Sequence, residues 1–297
     1  MIYNEKIGFQ LLGDDNWLGG IYYITNIISA IISLPVEKRP EICLIVSPWV
    51  NKKHFDVLAN QVEILVYPPI KSIESNHKLL HKVARKLRIL FGNGYDYKYA
   101  KYLMEHGVGL LYPTLSSMSK NFPIKWIAWI PDLQHKEIPE YFSKKQINDR
   151  DFTYSKISKE AQKIVFSSID SQKTFQRYFH CDSLKCEVLN FKSIINNKWL
   201  AADGKEVLSK YNLKENNYFI ISNQWWTHKN HITAFKAALE LKNRGKEITL
   251  VCTGSTKDYR NKNHFNNLVD FINRSSLTNN IRILGSITRY DQIQLII

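Results

Sequence analysis

Ile42 to Val46 is an unbroken apolar run, closed on one side by Arg39-Pro40-Glu41 and on the other by Ser47-Pro48. Short apolar runs bounded by proline and polar residues read as buried strands. The pattern recurs at Ile7–Leu12, Val62–Tyr67, Val108–Tyr112, Trp126–Ile130, Ile164–Ser167 and Glu187–Leu189. Helical spacing fills most of the gaps, beginning with a stretch that ends near Ser33. Alternating strands and helices predict a parallel α/β sheet with helices on both faces.

From about Asn190 to Asn217 the rhythm breaks. Asn196-Asn197-Lys198, Ala202-Asp203-Gly204 and Lys214-Glu215-Asn216-Asn217 read as a linker carrying one short helix, Lys205–Tyr211. A second alternation follows: buried strand Tyr218–Ile221, helix Ile232–Leu241, strand Ile248–Cys252, helix Phe265–Asn273, strand Ile281–Leu284, and a helix from near Arg289. That helix reaches Ile297 with neither a cap nor a polar tail, so the second alternation reads as cut short. The expected domains are 1–192 and a partial 193–297.

With 44% hydrophobic residues in 297, the chain can bury a large core. Its 41 Lys and Arg against 27 Asp and Glu give a formal charge of +14, which suggests anionic partners. The cations are scattered and match no recognition motif, so nucleic acid is not read as a partner. Cys43, Cys181, Cys186 and Cys252 form no CxxC pair and no metal-ligand spacing, which fits a reduced, cytoplasmic setting. The N-terminus has no signal-peptide core, and Ile21–Val36 is too polar to span a bilayer. Lys78, Lys82, Arg85, Lys86 and Arg88, interleaved with Leu79, Leu80, Val83, Leu87 and Leu90, form a basic amphipathic helix suited to an anionic membrane face. A solvated outer face over an ordinary core stripe accounts for the same pattern.

Three places carry chemistry. Gly13-Asp14-Asp15-Asn16-Trp17-Leu18-Gly19-Gly20 joins a strand to a helix, and its glycines let a ligand approach the backbone. A tight turn explains them equally well. GxGxxG is absent, so a nicotinamide cofactor is not supported. Trp17 is placed to stack on a sugar or to be half buried. Pro131-Asp132-Leu133-Gln134-His135 follows a strand, where ligands of open α/β sheets bind. Asp132 and His135 can act in a cleft there, or Asp132 caps a turn and His135 is exposed. The loop Asn223-Gln224-Trp225-Trp226-Thr227-His228-Lys229-Asn230-His231 joins a strand to a helix N-terminus, a geometry that binds phosphate, while a Lys-Asn pair at a helix start is by itself more often a solvated cap. Trp225 and Trp226 are free to stack on a base or to pack between domains.

Together these positions resemble the retaining family 4 of glycosyltransferases. The resemblance is carried by Asn16-Trp17-Leu18-Gly19-Gly20, Trp129 to His135 with Pro139-Glu140-Tyr141-Phe142-Ser143, Val165-Phe166-Ser167-Ser168, Asn223 to His231, Val251-Cys252-Thr253-Gly254 and Ile283-Leu284-Gly285. It implies the α/β GT-B fold, two Rossmann-like domains facing a cleft, the second incomplete here. It implies transfer of a sugar, with retention, from a nucleotide-sugar donor to a saccharide or lipid-linked acceptor. Cell-surface polysaccharide, lipopolysaccharide or glycolipid synthesis on the cytoplasmic face is the expected setting.

The resemblance places Asn16 and Trp17 with the acceptor, and Gly19, Gly20, Asn223, His228, Lys229, Gly254 and Gly285 with the donor. His228 stands where an arginine is usual, which makes the first cation of that pair pH dependent. Asp132 and His135 are the catalytic candidates; a histidine often directly precedes that aspartate in the family, and Pro131 stands there instead. The leaving diphosphate helps deprotonate the acceptor in the family, and no metal or other cofactor is implied. The family's paired glutamates, which hold the sugar and the ribose, are not present, so slow or absent transfer is expected; a catalytically inactive, partner-binding module is the second reading.

Overall fold

A computed structural model describes residues 5–15, 17–68, 83, 94–194, 197–258 and 260–297, with Lys198 described in its backbone only. Asn16 and the predicted basic helix at 78–90, Val83 apart, lie outside the described residues. The chain divides into two compact units, Met1–Pro139 with Ser143–Ile194, and Glu140–Phe142 with Ile195–Ile297.

The first unit is built on seven parallel strands: β1 (Lys6–Gln10), β2 (Ile42–Val46), β3 (Glu63–Val66), β4 (Val108–Thr114), β5 (Lys125–Ile130), β6 (Lys163–Phe166) and β7 (Cys186–Val188). Their order is β3-β2-β1-β4-β5-β6-β7, so the winding reverses between β1 and β4. Side chains alternate across the sheet and build a core on each face. Cys43 and Ile45 of β2 join one cluster with Trp126, Ala128 and Ile130 of β5. Leu44 and Val46 join the other with Trp129. Continuous apolar runs are what a sheet covered on both faces demands.

Helix α1 (Leu18–Ile32) buries Ile21, Ile24 and Ile28, one stripe at helical spacing. Helices α2 (Tyr97–Glu105), α3 (Gln134–Glu137), α4 (Lys144–Glu160) and α5 (Ile169–Tyr178) complete the unit. Helix α4 opens with a reciprocal capping box between Ser143 and Gln146, satisfying two otherwise orphaned amides. The Sγ atoms of Cys181 and Cys186 stand 3.6 Å apart, a proximity the linear spacing did not announce.

The second unit holds α6 (Asn197–Leu200), α7 (Lys205–Lys210), β8 (Phe219–Ser222), α8 (His231–Asn243), β9 (Leu250–Thr253), α9 (His264–Arg274), β10 (Ile281–Gly285) and α10 (Arg289–Gln294). Its parallel sheet runs β10-β9-β8. The linker reading missed α6, whose Trp199 packs edge-on against Tyr290. Every residue of the central β9 is buried. The expectation of a buried first strand is corrected here. β8 lies at the sheet edge, pairs only with β9 among the described residues, and leaves Phe219 63% exposed. No helix among the described residues is long and apolar enough to cross a membrane.

Candidate functional site

The parallel register of the second unit brings three strand ends together. Asn223 follows β8, Gly254 follows β9 and Gly285 ends β10. Gly254 has φ +106, and a Cβ there would fall 2.2 Å from the Asn223 carbonyl oxygen, so only glycine lets these backbones meet. Its N–H donates to the Gly285 carbonyl at 2.7 Å. Ser222 and Thr253 pair their hydroxyls at 3.1 Å, and the Gln292 amide donates to Ser222. The Asn223 side-chain oxygen is buried with no hydrogen-bond partner among the described residues.

Beside this edge lies the turn Thr227–Lys229, a single 3-10 turn. Asn230 adopts φ +55 and ends it, so α8 begins at His231. Buried Asp258 pins the turn, accepting from the Thr227 N–H at 3.0 Å and its hydroxyl at 3.2 Å. Burial alone would raise the Asp258 pKa, but the Thr227 and Arg260 amides and the Arg260 charge outweigh it and hold the carboxyl below its ordinary value.

Arg260 is the residue the sequence reading missed. Its guanidinium lies 4.8 Å from the Trp226 ring centre and 5.5 Å from that of Phe142. It also approaches His228 Nδ1 at 3.1 Å. A guanidinium has only donors, so Nδ1 accepts and the imidazole is neutral in this arrangement. Arg260 thus places a permanent charge beside the His228-Lys229 pair, and Lys229 is exposed on the turn. Arg260 comes from the loop after β9, where no periodicity marks it; the one signal is its position six residues past the strand-end glycine.

Trp225 fills neither expected role. It is wholly buried in the second unit's own core, stacked on His231 at 4.6 Å and edge-on to Phe265. Burial, His264 and Lys229 together lower the His231 pKa to about 4.

In the first unit, a Cβ on buried Gly20 would come 2.8 Å from the Leu12 carbonyl oxygen, so this glycine serves the close seating of α1 on β1. Gly19 is exposed in the first turn of α1. The Trp17 ring lies parallel to Trp129 at 6.2 Å, and Trp129 stacks on Tyr23 at 4.0 Å. Trp17 is thus half-buried packing, held against the core instead of standing clear of the loop. Asp132 accepts from the Gln134 N–H at 3.2 Å, closing the turn before α3, whose N-cap is Leu133, and pairs with Arg150 at 3.3 Å.

The expectation that His135 faces a cleft is corrected, as is the alternative that it is exposed. It is 1% exposed, its Nε2 lies 3.2 Å from Asp151 Oδ1, and Tyr154 packs edge-on against it. Burial, with Arg150 nearby, lowers its pKa. The side chain of α3 that follows the strand end thus turns inward and fixes the turn bearing Asp132. Asp132 and His135 share this one network, while Asn223, Gly254 and Gly285 share the edge of the second sheet beside His228 and Lys229. No group of three or more His, Cys, Asp or Glu among the described residues is arranged to hold a metal ion.

Two α/β units, each on a parallel sheet and the first with the order β3-β2-β1-β4, define the fold of the GT-B glycosyltransferases. Among solved structures, Anabaena HepE in complex with UDP and glucose is similar at a TM-score of 0.60 and 16% identity, over 98% of this chain and 72% of that one. A glycosyltransferase from Rickettsia africae is similar at a TM-score of 0.60 and 16% identity, over 99% and 71%. Sucrose-phosphate synthase from Thermosynechococcus elongatus is similar at 0.57 and 10% identity, over 99% and 73%. At these identities the likeness is one of fold. No protein-family model matches the chain, and no curated protein matches its sequence.

Proposed function

We propose that the chain is a nucleotide-sugar-dependent glycosyltransferase whose second unit holds the donor. The observation that carries this reading is the meeting of Asn223, Gly254 and Gly285 at one sheet edge, beside a turn bearing Lys229 with Arg260 set against its His228. Backbone bared at the two glycines admits a diphosphate closely, and the two cations stabilise the charge that builds on it as the sugar leaves. The fold supports the reading, since a similar structure holds UDP and glucose. Gly19, at the N-terminal turn of α1, is the donor-side candidate from the first unit, and Asp132 is the acceptor-side catalytic candidate. Retention of configuration, and an acceptor that is a saccharide or lipid-linked saccharide of the cell surface, complete the proposal.

The test is thermal stabilisation by UDP, GDP and their sugar conjugates. At least one nucleotide should raise the unfolding temperature, and Lys229→Ala should reduce that rise. Absence of stabilisation by every nucleotide would overturn the donor assignment.

A further inference from the structure

Cys181 and Cys186 stand on either side of one turn, between the end of α5 and the first residue of β7. Their Sγ atoms are 3.6 Å apart, and each also lies 3.6 Å from the Asp182 carbonyl oxygen. The Asp182 side chain holds the turn, accepting from the Leu184 N–H at 2.9 Å. Bonded sulfurs stand about 2.05 Å apart, so a short approach would join these two. Cys181 lies in irregular chain after α5, and its sulfur can make that approach without breaking a helix or a strand.

The four cysteines divide into two kinds. Cys43 and Cys252 are wholly buried within β2 and β9, where a thiol serves as a small apolar group and no reagent reaches it in the folded chain. Cys186 is buried at the start of β7, but Cys181 is half-buried beside the exposed Asp182, Ser183 and Leu184. The pair therefore has one member that solvent can reach and one that only its partner can. Burial raises both thiols, Cys186 to about 12, so the pair rests protonated. The contact between them then sets an order. Cys186 donates its S–H to Cys181, which favours the Cys181 thiolate and disfavours that of Cys186. Cys181 is the attacking sulfur by both exposure and ionisation, and Cys186 is the resolving one.

We propose that Cys181 and Cys186 form a reversible dithiol–disulfide pair, oxidised by exchange with a small disulfide. The Cys181 thiolate attacks one sulfur of that disulfide, forming a mixed disulfide and expelling a thiolate. Cys186 gives its proton to the expelled thiolate and attacks the Cys181 sulfur, closing the ring and releasing the second thiol. Two cysteine thiols are oxidised and one disulfide is reduced to two thiols, so no further reactant is needed. The ring ties the exit of α5 to β7, the edge strand of its sheet, which pairs only with β6 among the described residues. Gln172 of α5 already tethers the start of that strand, donating to the Cys186 carbonyl at 3.1 Å. A covalent link beside this hydrogen bond would make the sheet edge harder to open. The inference stands apart from the function proposed above and needs no donor or acceptor.

The test is equilibration of the 297-residue chain with oxidised and reduced glutathione in varied ratio, then acid quenching, thiol counting and tryptic mapping without reductant. Trypsin cuts after Lys185, between the two cysteines, so closure joins the peptide Tyr178–Lys185 to Cys186–Lys192. The four free thiols should fall to two, Cys43 and Cys252 staying reduced, and dithiothreitol should restore all four. Closure should slow amide exchange in β7 and raise the unfolding temperature of the first unit by about 4–8 °C. Cys181→Ser should keep every remaining thiol, and Cys186→Ala should stop at the mixed disulfide on Cys181. If Cys186→Ala fails to fold, Cys181→Ser and the wild-type map decide. A wild-type chain that keeps four thiols, halts at the mixed disulfide or joins a second chain through Cys181 would overturn the proposal. So would thiol loss from folded Cys181→Ser, or an unfolding temperature that closure does not move.

Discussion

The carboxyl edges of the two sheets are built from the same grammar and furnished with opposite chemistry. In the second unit, strand ends marked by Gly254 and Gly285 adjoin Lys229 and Arg260. In the first, the described residues at the strand ends enclose two carboxylates, several hydroxyls and one lysine. A chain of formal charge +14 therefore does not present a uniformly cationic pair of edges. Net charge describes the whole surface, whereas recognition is set by the few groups each edge exposes. The second difference is in packing. Both faces of the seven-stranded sheet carry a core, while the three-stranded sheet leans on one cluster centred on Trp225 and Phe235.

Trp225→Ala tests that asymmetry most severely. Deleting a wholly buried indole costs about 3–5 kcal/mol. Amide exchange should accelerate in β8 to β10 and stay slow in β1 to β7; uniform acceleration would break the distinction. Acid should act on the same cluster. Folded His231 takes a proton only near pH 4, whereas the unfolded chain takes it near its ordinary 6.5. The unfolded state thus binds more protons between these values, and stability falls as pH drops from 6.5 to 4, by on the order of 3 kcal/mol at most. Urea midpoints across that window check this, and His231→Phe should flatten the slope.

Gly254→Ala should cost about 1–3 kcal/mol through backbone strain and should abolish UDP binding, read by chemical denaturation and calorimetry. Lys229→Ala should have the smallest effect. It leaves the fold untouched and weakens UDP by about tenfold, roughly 1.4 kcal/mol, read by calorimetry. An unchanged affinity would remove Lys229 from the donor edge.

Much of the fold was legible because burial on both faces writes a strand as an unbroken apolar run. Ile42–Val46 was read to the residue. β8 was misjudged because an edge strand can carry the same letters as a central one; what differs is its neighbour, which no local window contains. At the second sheet, Asn223, Gly254 and Gly285 were named through the resemblance alone, and the parallel strands deliver them to one line. Arg260 was not, since it reaches His228 across a gap of 32 residues from an irregular loop. His135 failed for a related reason. Position after a strand says that a residue is near the edge, and not which way a four-residue helix turns it. The cavity lined by Gln10, Ser47, Tyr67 and Thr114 was invisible because its walls come from several separate loops, each unremarkable alone.

The bare flank of β8 has a consequence for how the molecule behaves in company. Its outer backbone groups are unmatched by any strand among the described residues, and Phe219 stands in water beside them. Such an edge is a template that another extended chain can complete. One more parallel strand laid along that flank, as β4 lies beside β1 in the first unit, would satisfy those groups and cover Phe219 together.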